Sequence, residues 1–262
     1  MRKKILAALA LLMGMFSPLE GKIMEAANFH ELEKHVTEDT LVLLDLDDTV
    51  LVPAQMLGCD VWFGERVKKH QTEGMEASAA LEKALAEWES VRHITKMKIV
   101  EKGADLVIQT LQKKGRKVMG LTLQGLALAT RTIQQLQENH IDLSVTAPNP
   151  GDYFVTLKGH GTLFRKGVLF TSGMNKGEAF FKFCETLGLK FKKIVAIDDK
   201  ATHLTAIETE AQKRKIEFVG LRYAYSDIHK AAYRPEIAEI QFKNSTFARL
   251  LSDEEALAKL KN

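Results

Sequence analysis

The chain has 262 residues, 45% hydrophobic and 27% charged, with 37 Lys+Arg against 34 Asp+Glu and a formal charge of +3. This composition excludes a disordered, collagenous or low-complexity chain, and the charge lies far from the footprint of a nucleic-acid binder. The two cysteines, Cys59 and Cys184, exclude a disulfide-dense scaffold and a cysteine-rich zinc or iron–sulfur site.

At the start, Arg2-Lys3-Lys4 precede an apolar run over residues 5–16, and Pro18 follows. A charged start, a short apolar run and a breaker predict a secretory signal peptide over 1–21 and an exported protein, periplasmic or secreted. The run is shorter than the ~20 residues of a transmembrane helix, and no later stretch approaches that length, so no transmembrane segment is expected in the mature chain. Cuts after Gly21 and after Ala26 are both open, and an uncleaved anchor is the competing reading. Loss of Arg2, Lys3, Lys4 and Glu20 leaves the remainder nearly neutral.

Four apolar runs read as buried parallel strands: 41–46, 117–122, 193–198 and 217–221. Amphipathic helices are predicted at 103–114, 125–139, 177–188 and 201–214. Such alternation implies an α/β fold with a doubly wound, mostly parallel sheet and right-handed crossovers. Gly115 and Gly188 sit where helix C-caps belong. The interval 56–102 breaks the alternation. It shows no convincing strand, and 76–95 reads as one helix, so it is expected to be a small helical insert. A hairpin is expected around Arg165-Lys166-Gly167. The expected organisation is a signal peptide at 1–21, a core at 22–55 and 103–235, the insert at 56–102 and a helical tail at 236–262. Export would permit a Cys59–Cys184 bridge. Cys184 shares a helical stripe with Phe180, Phe183 and Leu187, which favours a buried free thiol.

Polar groups gather at the carboxyl ends of these strands, where open α/β sheets bind ligands. Asp45-Leu46-Asp47-Asp48-Thr49 ends the first, Thr122 the second and Asp198-Asp199 the third. Lys176 opens a helix before the third, and Gly177 beside it is expected to let a ligand approach. Clustered carboxylates with a Lys and a Thr suit phosphate and Mg²⁺. An Asp can attack phosphorus, and a nearby carboxylate can manage the protons. Taken singly, Asp47 and Asp48 also suit a turn, and Asp199 a helix N-cap.

The four motifs, DLDDT at 45–49, Thr122, Lys176 and the Asp198-Asp199 pair, resemble those of the haloacid dehalogenase superfamily in order, strand context and spacing across 38–225. The resemblance implies a Mg²⁺-dependent phosphatase acting on a phosphomonoester of unknown identity. It makes Asp45 the nucleophile and a metal ligand. Asp47 becomes the acid/base, offering its backbone carbonyl to the metal. Thr122 and Lys176 would hold the phosphoryl group, and Asp198 and Asp199 would serve the metal. Segments 103–124, 129–147 and 166–223 are also similar to an uncharacterised subfamily of exported members, which brings no substrate.

Leu123 and Gln124 depart from the family pattern, as does His203, which stands where many relatives have Asn. Thr49 is expected to support the turn rather than touch substrate. Trp62, Phe63 and Trp88 are expected in a core or interface. Arg66, Arg92 and His93 are expected on solvated helix faces, and Arg131 on a helix surface. A receiver-type module is disfavoured by the order of the acids. A degenerate, non-catalytic member acting as a binding protein stays open as the alternative. The 47-residue insert is intermediate between caps that admit macromolecules and caps that restrict the site to small phosphates.

Overall fold

The computed structural model describes residues 22–245 and 249–260. The expected signal peptide, 1–21, lies outside them. Strands β1 (Lys22–Ala26) and β2 (Thr40–Leu44) come first. Strands β3 (Leu51–Pro53) and β4 (Met97–Ile99) bracket helices α1 (Asp60–Thr72) and α2 (Ala77–Ile94). Next come α3 (Ala104–Lys113), β5 (Lys117–Thr122) and α4 (Ala129–Glu138), then β6 (Tyr153–Leu157), β7 (His160–Arg165) and β8 (Val168–Phe170). Then follow α5 (Lys176–Leu187), β9 (Lys193–Asp198), α6 (Ala201–Lys213) and β10 (Glu217–Tyr223). Helices α7 (Ser226–Ala231), α8 (Pro235–Lys243) and α9 (Asp253–Leu260) complete the described chain.

The main sheet runs β1-β10-β9-β2-β5-β8-β7-β6. Neighbours are parallel from β1 to β8, and β7 and β6 add an antiparallel edge. Both faces of the central strands β2, β5, β8 and β9 are covered, so these strands are apolar almost throughout and their alternate residues feed separate cores. Val42, Leu44, Val118, Val195 and Ile197 pack with Ile108 and Leu111 of α3. Leu41, Leu43, Met119, Leu121, Ile194 and Ala196 pack with Phe180 and Phe183 of α5 and with Leu204 and Ile207 of α6. Each fully buried aliphatic side chain of this kind stabilises by roughly 1.5–3 kcal/mol. Because β5 and β9 flank β2 on opposite sides, the chain reverses direction across the sheet at β2. That places a crevice at the strands' carboxyl ends.

The four predicted strands and four predicted helices all form, within a few residues of their expected limits. Gly188 caps α5 with φ 65°, a left-handed conformation that suits glycine. The expected hairpin is β7–β8, turning through Lys166 (φ 48°) and Gly167 (φ 79°). Strand β8 also pairs with β5, which brings the hairpin into the main sheet.

The interval 56–102 differs from expectation. It holds a second helix, α1, and its end forms β4, which pairs with β3. Leu57, Trp62, Trp88 and Val91 form a third core with Leu128 and with Ala238 of α8. Trp62 lies 5.4 Å from Phe242, ring to ring. The buried Gln241 of α8 accepts from the backbone N–H of Leu57 (2.9 Å), so part of the tail clasps the insert. Arg66 is not on a solvated face: it is buried, and its Nε and Nη2 donate to Glu87 of α2 (2.6 and 2.8 Å). The buried His70 meets the same carboxylate at 3.1 Å. Cys59 and Cys184 are free thiols, Cys184 buried in α5 and Cys59 capping α1.

Candidate active site

Asp45 follows β2 with its N–H still donating to Ile197 O (3.0 Å), so the sheet ladder fixes its backbone. Lys176, the first residue of α5, is 2% exposed. Its Nζ donates to Asp45 Oδ1 and Asp198 Oδ2, both at 2.6 Å. Thr49 Oγ1 donates to Asp45 Oδ2 (2.8 Å) and accepts from the N–H of Asp199 (3.1 Å). Thr49 therefore supports the turn, as expected, and ties two strand ends together. His203 Nδ1 lies 3.0 Å from Asp198 Oδ1, so imidazole does hold a carboxylate here. Thr122 is buried at the end of β5, and its hydroxyl accepts from the N–H of Gln124 (3.2 Å). Gly177 has a packing role instead of the expected ligand approach. A Cβ there would stand 2.1 Å from the carbonyl of Ala206, so its absence lets α5 and α6 close together.

Asp47 turns to a different set of partners. Arg92 Nη2 donates to its Oδ1 (2.7 Å), and Gln124 Nε2 donates to its Oδ2 (2.8 Å). Thr132 Oγ1 in turn bonds Gln124 Oε1 (2.5 Å). Arg92 is 2% exposed, not on a solvated face as expected. Its guanidinium also lies over the Trp88 ring, 5.0 Å from the centroid. A signal for it was present in the sequence, because the residue sits four positions after Trp88 on the stripe that buries Ala80 and Ala84. His93 is exposed, as expected. Arg131 bonds Glu138 (2.7 Å) and the carbonyl of Thr95 (3.2 Å), away from these acids.

Asp48, for which the sequence offered only a turn role, is a buried acid that the fold brings beside Asp60 and Asp199. Its backbone is left-handed (φ 59°), a conformation Asp tolerates better than most residues. It is buried, and its Oδ2 has no hydrogen-bond partner among the described residues. Burial, reinforced by Asp60 and Asp199, pushes its carboxyl up to about 8. Burial and the neighbouring Asp198 likewise push Asp45 well above the usual carboxylate range. Burial alone would raise Asp198 too, but the Lys176 ammonium and His203 outweigh it and hold Asp198 low. The same two aspartates keep Lys176 protonated against its burial.

Asp45, Asp198 and Asp199 bring carboxylate oxygens within 4.8 Å of one another, as do Asp48, Asp60 and Asp199. Around these acids and Asp47, the cations are Arg92 on Asp47, Lys176 shared by Asp45 and Asp198, Lys200 on Asp60, and Lys230 on Asp199. Burial and mutual repulsion raise Asp45, Asp48 and Asp199 together, so the cluster resists carrying all its negative charge unaided. A bound cation would offset that repulsion, and an all-oxygen donor set suits a hard cation such as Mg²⁺. The Asp47 carboxylate is taken by Arg92 and Gln124.

A cavity of about 520 Å³ opens over Asp45, Asp47 and Thr122. Phe63 of α1 and Leu81, Leu85 and Trp88 of α2 line its outer wall. The helical pair thus stands over the strand ends.

A family model described as "Protein of unknown function (DUF2608)" matches residues 25–257. The chain belongs to the DUF2608 family. This DUF2608 protein is 26% identical over 241 residues to a Chlamydia pneumoniae protein described as "Putative outer membrane protein". That match covers 91% of this chain and 90% of the relative. A Chlamydia trachomatis serovar D protein of the same description is 24% identical over 235 residues, 88% of each chain. The crystal structure of a hydrolase from Pseudomonas syringae is 13% identical and covers 73% of this DUF2608 chain and 97% of its own, with a TM-score of 0.41. A likeness that slight carries no functional argument.

Proposed function

We propose that the chain is an exported phosphatase of the haloacid dehalogenase type that hydrolyses a phosphomonoester through an aspartyl-phosphate on Asp45. The observation that carries this reading is the buried Lys176 bridge between Asp45 and Asp198 at the strands' carboxyl ends. It holds a carboxylate nucleophile beside a cation suited to phosphate, on the floor of a cavity. The description of the chlamydial relatives as outer membrane proteins supports export. Among the described residues no helix is long and apolar enough to cross a membrane.

An Asp45 oxygen attacks phosphorus, and the bond from phosphorus to the ester oxygen breaks. Lys176 and the Thr122 hydroxyl receive the phosphoryl oxygens. The leaving alkoxide takes a proton from Asp47. Water then attacks the acyl phosphate, giving its proton to Asp47 and restoring Asp45. Both Asp47 oxygens accept hydrogen bonds in the resting arrangement, so donating a proton requires giving up Arg92 or Gln124. Asp45, the backbone carbonyl of Asp47, Asp198 and Asp199 would hold Mg²⁺, which when bound offsets the combined charge of carboxylates and phosphate.

The same clamp on Asp47 favours a second reading, a fold of this type that binds phosphate esters without turning them over. Turnover of p-nitrophenyl phosphate by the mature protein, with Mg²⁺ and with EDTA, separates the two. The phosphatase reading expects Mg²⁺-dependent hydrolysis that Asp45→Asn abolishes. Binding without hydrolysis would leave only the second reading.

A further inference from the structure

The cavity over Asp45 has two chemically different ends. The floor carries Asp45, Asp47 and Thr122, with Lys176 behind them. The outer wall offers no hydrogen-bonding group. Leu81, Leu85 and Trp88 are spaced as one stripe of α2, and Phe63 lies 6.1 Å from Trp88, ring to ring. The indole N–H of Trp88 is already committed to the carbonyl of Gly58 (3.0 Å).

Leu81 and Leu85 remain 48% and 41% exposed, although they face a concavity. Large apolar side chains left open inside a cleft gain by covering a ligand's apolar surface. The cleft's one permanently cationic side chain, Lys200, is paired with Asp60, and His203 is held at Asp198. Among the described residues, a second phosphate or a carboxylate on the substrate would find no free Lys or Arg in the lining, and only the His160 imidazole stands there without a partner. The hydroxyl of Ser172 is spent on the carbonyl of Gly161 (2.7 Å) and the amide of Gln124 on Asp47 and Thr132, which leaves the exposed His160 imidazole as the uncommitted polar side chain beyond the floor, among the described residues.

We infer that the substrate is the phosphate monoester of an apolar alcohol. The phosphate meets Lys176 and Thr122, and the apolar body lies against Leu81, Leu85, Trp88 and Phe63. This rests on the phosphatase reading for its phosphate end. An alkyl chain and an aromatic ring share this chemistry, and the cavity volume of about 520 Å³ lies within the range of small-molecule sites.

The test is calorimetric titration of the full mature chain, in Mg²⁺, with non-hydrolysable phosphonates. Methyl-, butyl- and octylphosphonate form the alkyl arm, and phenyl- and naphthylphosphonate the aromatic arm. Affinity should climb along at least one arm, by up to ~4-fold per added methylene in the alkyl series. The arm with the steeper climb names the source. Leu81→Asn/Leu85→Asn, at positions already half open to solvent, should flatten the climb. Methylphosphonate binding with no climb in either arm overturns the apolar inference and leaves the phosphatase reading standing. A climb that the double variant does not alter puts the apolar body elsewhere and also overturns it. Binding of octanol or naphthol with no gain from the phosphonate removes the phosphate end, and the phosphatase reading with it.

Discussion

Asp45 and Asp47 are two residues apart in the core, yet different parts of the molecule hold their carboxylates. Asp45 is held by Lys176 and Thr49, both on the sheet core. Asp47 is held by Arg92 from the helical insert and by Gln124 from the loop after β5. The core alone builds the arrangement around the first carboxylate, whereas the second depends on where α2 docks. The insert therefore does more than roof the cavity, because its docking decides what Asp47 can do.

The largest expected effect tests the core half. Asp45→Asn leaves an amide that cannot attack phosphorus, so turnover should fall to background while circular dichroism and the melting temperature stay near those of the native protein. On the proposed mechanism, Asp47→Asn should spare the nucleophile and remove the proton relay, a loss of ~10²–10⁴-fold. With a labelled activated ester, rapid quench should trap phosphate on Asp45 in that variant. Label on His203, or near-normal turnover by the Asp45→Asn protein, would sink the covalent mechanism.

Next comes the cation. The clustered carboxylates Asp45, Asp198 and Asp199 sit at the core pole, so Mg²⁺ should stabilise the fold by mass action, about 2.7 kcal/mol at one hundred times its dissociation constant. That corresponds to a rise in melting temperature of roughly 5–11 °C for a chain of this size. Asp198→Asn should remove most of the rise and Asp47→Asn little of it. Equal losses in the two variants would contradict the division between halves.

A smaller effect measures how far the insert reaches into the site. In a double-mutant cycle, Arg92→Gln and Asp47→Asn should couple by about 0.5–3 kcal/mol in stability. In turnover, Arg92→Gln should matter more for esters with poor leaving groups than for p-nitrophenyl phosphate, because it acts through Asp47. A uniform loss across leaving groups would reduce Arg92 to a structural tie.

The subtlest comparison uses the two thiols. Burial pushes both Cys59, at the start of α1, and Cys184, in the core, up to about 12. In the unfolded chain a thiol titrates near 8.5. At pH 8 alkylation should therefore be slow at both in the native state and should report local opening. Cys59 should react first, because the insert and tail share a smaller core than the sheet does. Equal rates would mean that the two halves open together.

The parallel strands were legible because a strand buried on both faces must be apolar at every position, as in Val118–Leu121 and Ile194–Ile197. Strand β1 was not. Lys22–Ala26 is an edge strand with one fully buried residue, and its place is set by pairing with β10. Helix α1 was hidden for a related reason: Trp62, Arg66 and His70 form its buried face, and two of them read as polar. Those two are buried because Glu87 on α2 meets both.

By itself the sequence determined the apolar alternation, and with it the parallel sheet, the crossovers and the delivery of Asp45, Thr122, Lys176 and Asp198 to one pole. Those features follow from local periodicity and from the chain geometry of βαβ units. The tertiary structure decided that Arg92 and Gln124 clamp Asp47, that Asp48 Oδ2 lies buried without a hydrogen-bond partner among the described residues, and that Leu81 and Leu85 face the cavity. Those depend on the docking of segments far apart in the chain. A charged residue on a helix turns inward only where another element brings it a partner, and local pattern carries no record of that partner's position.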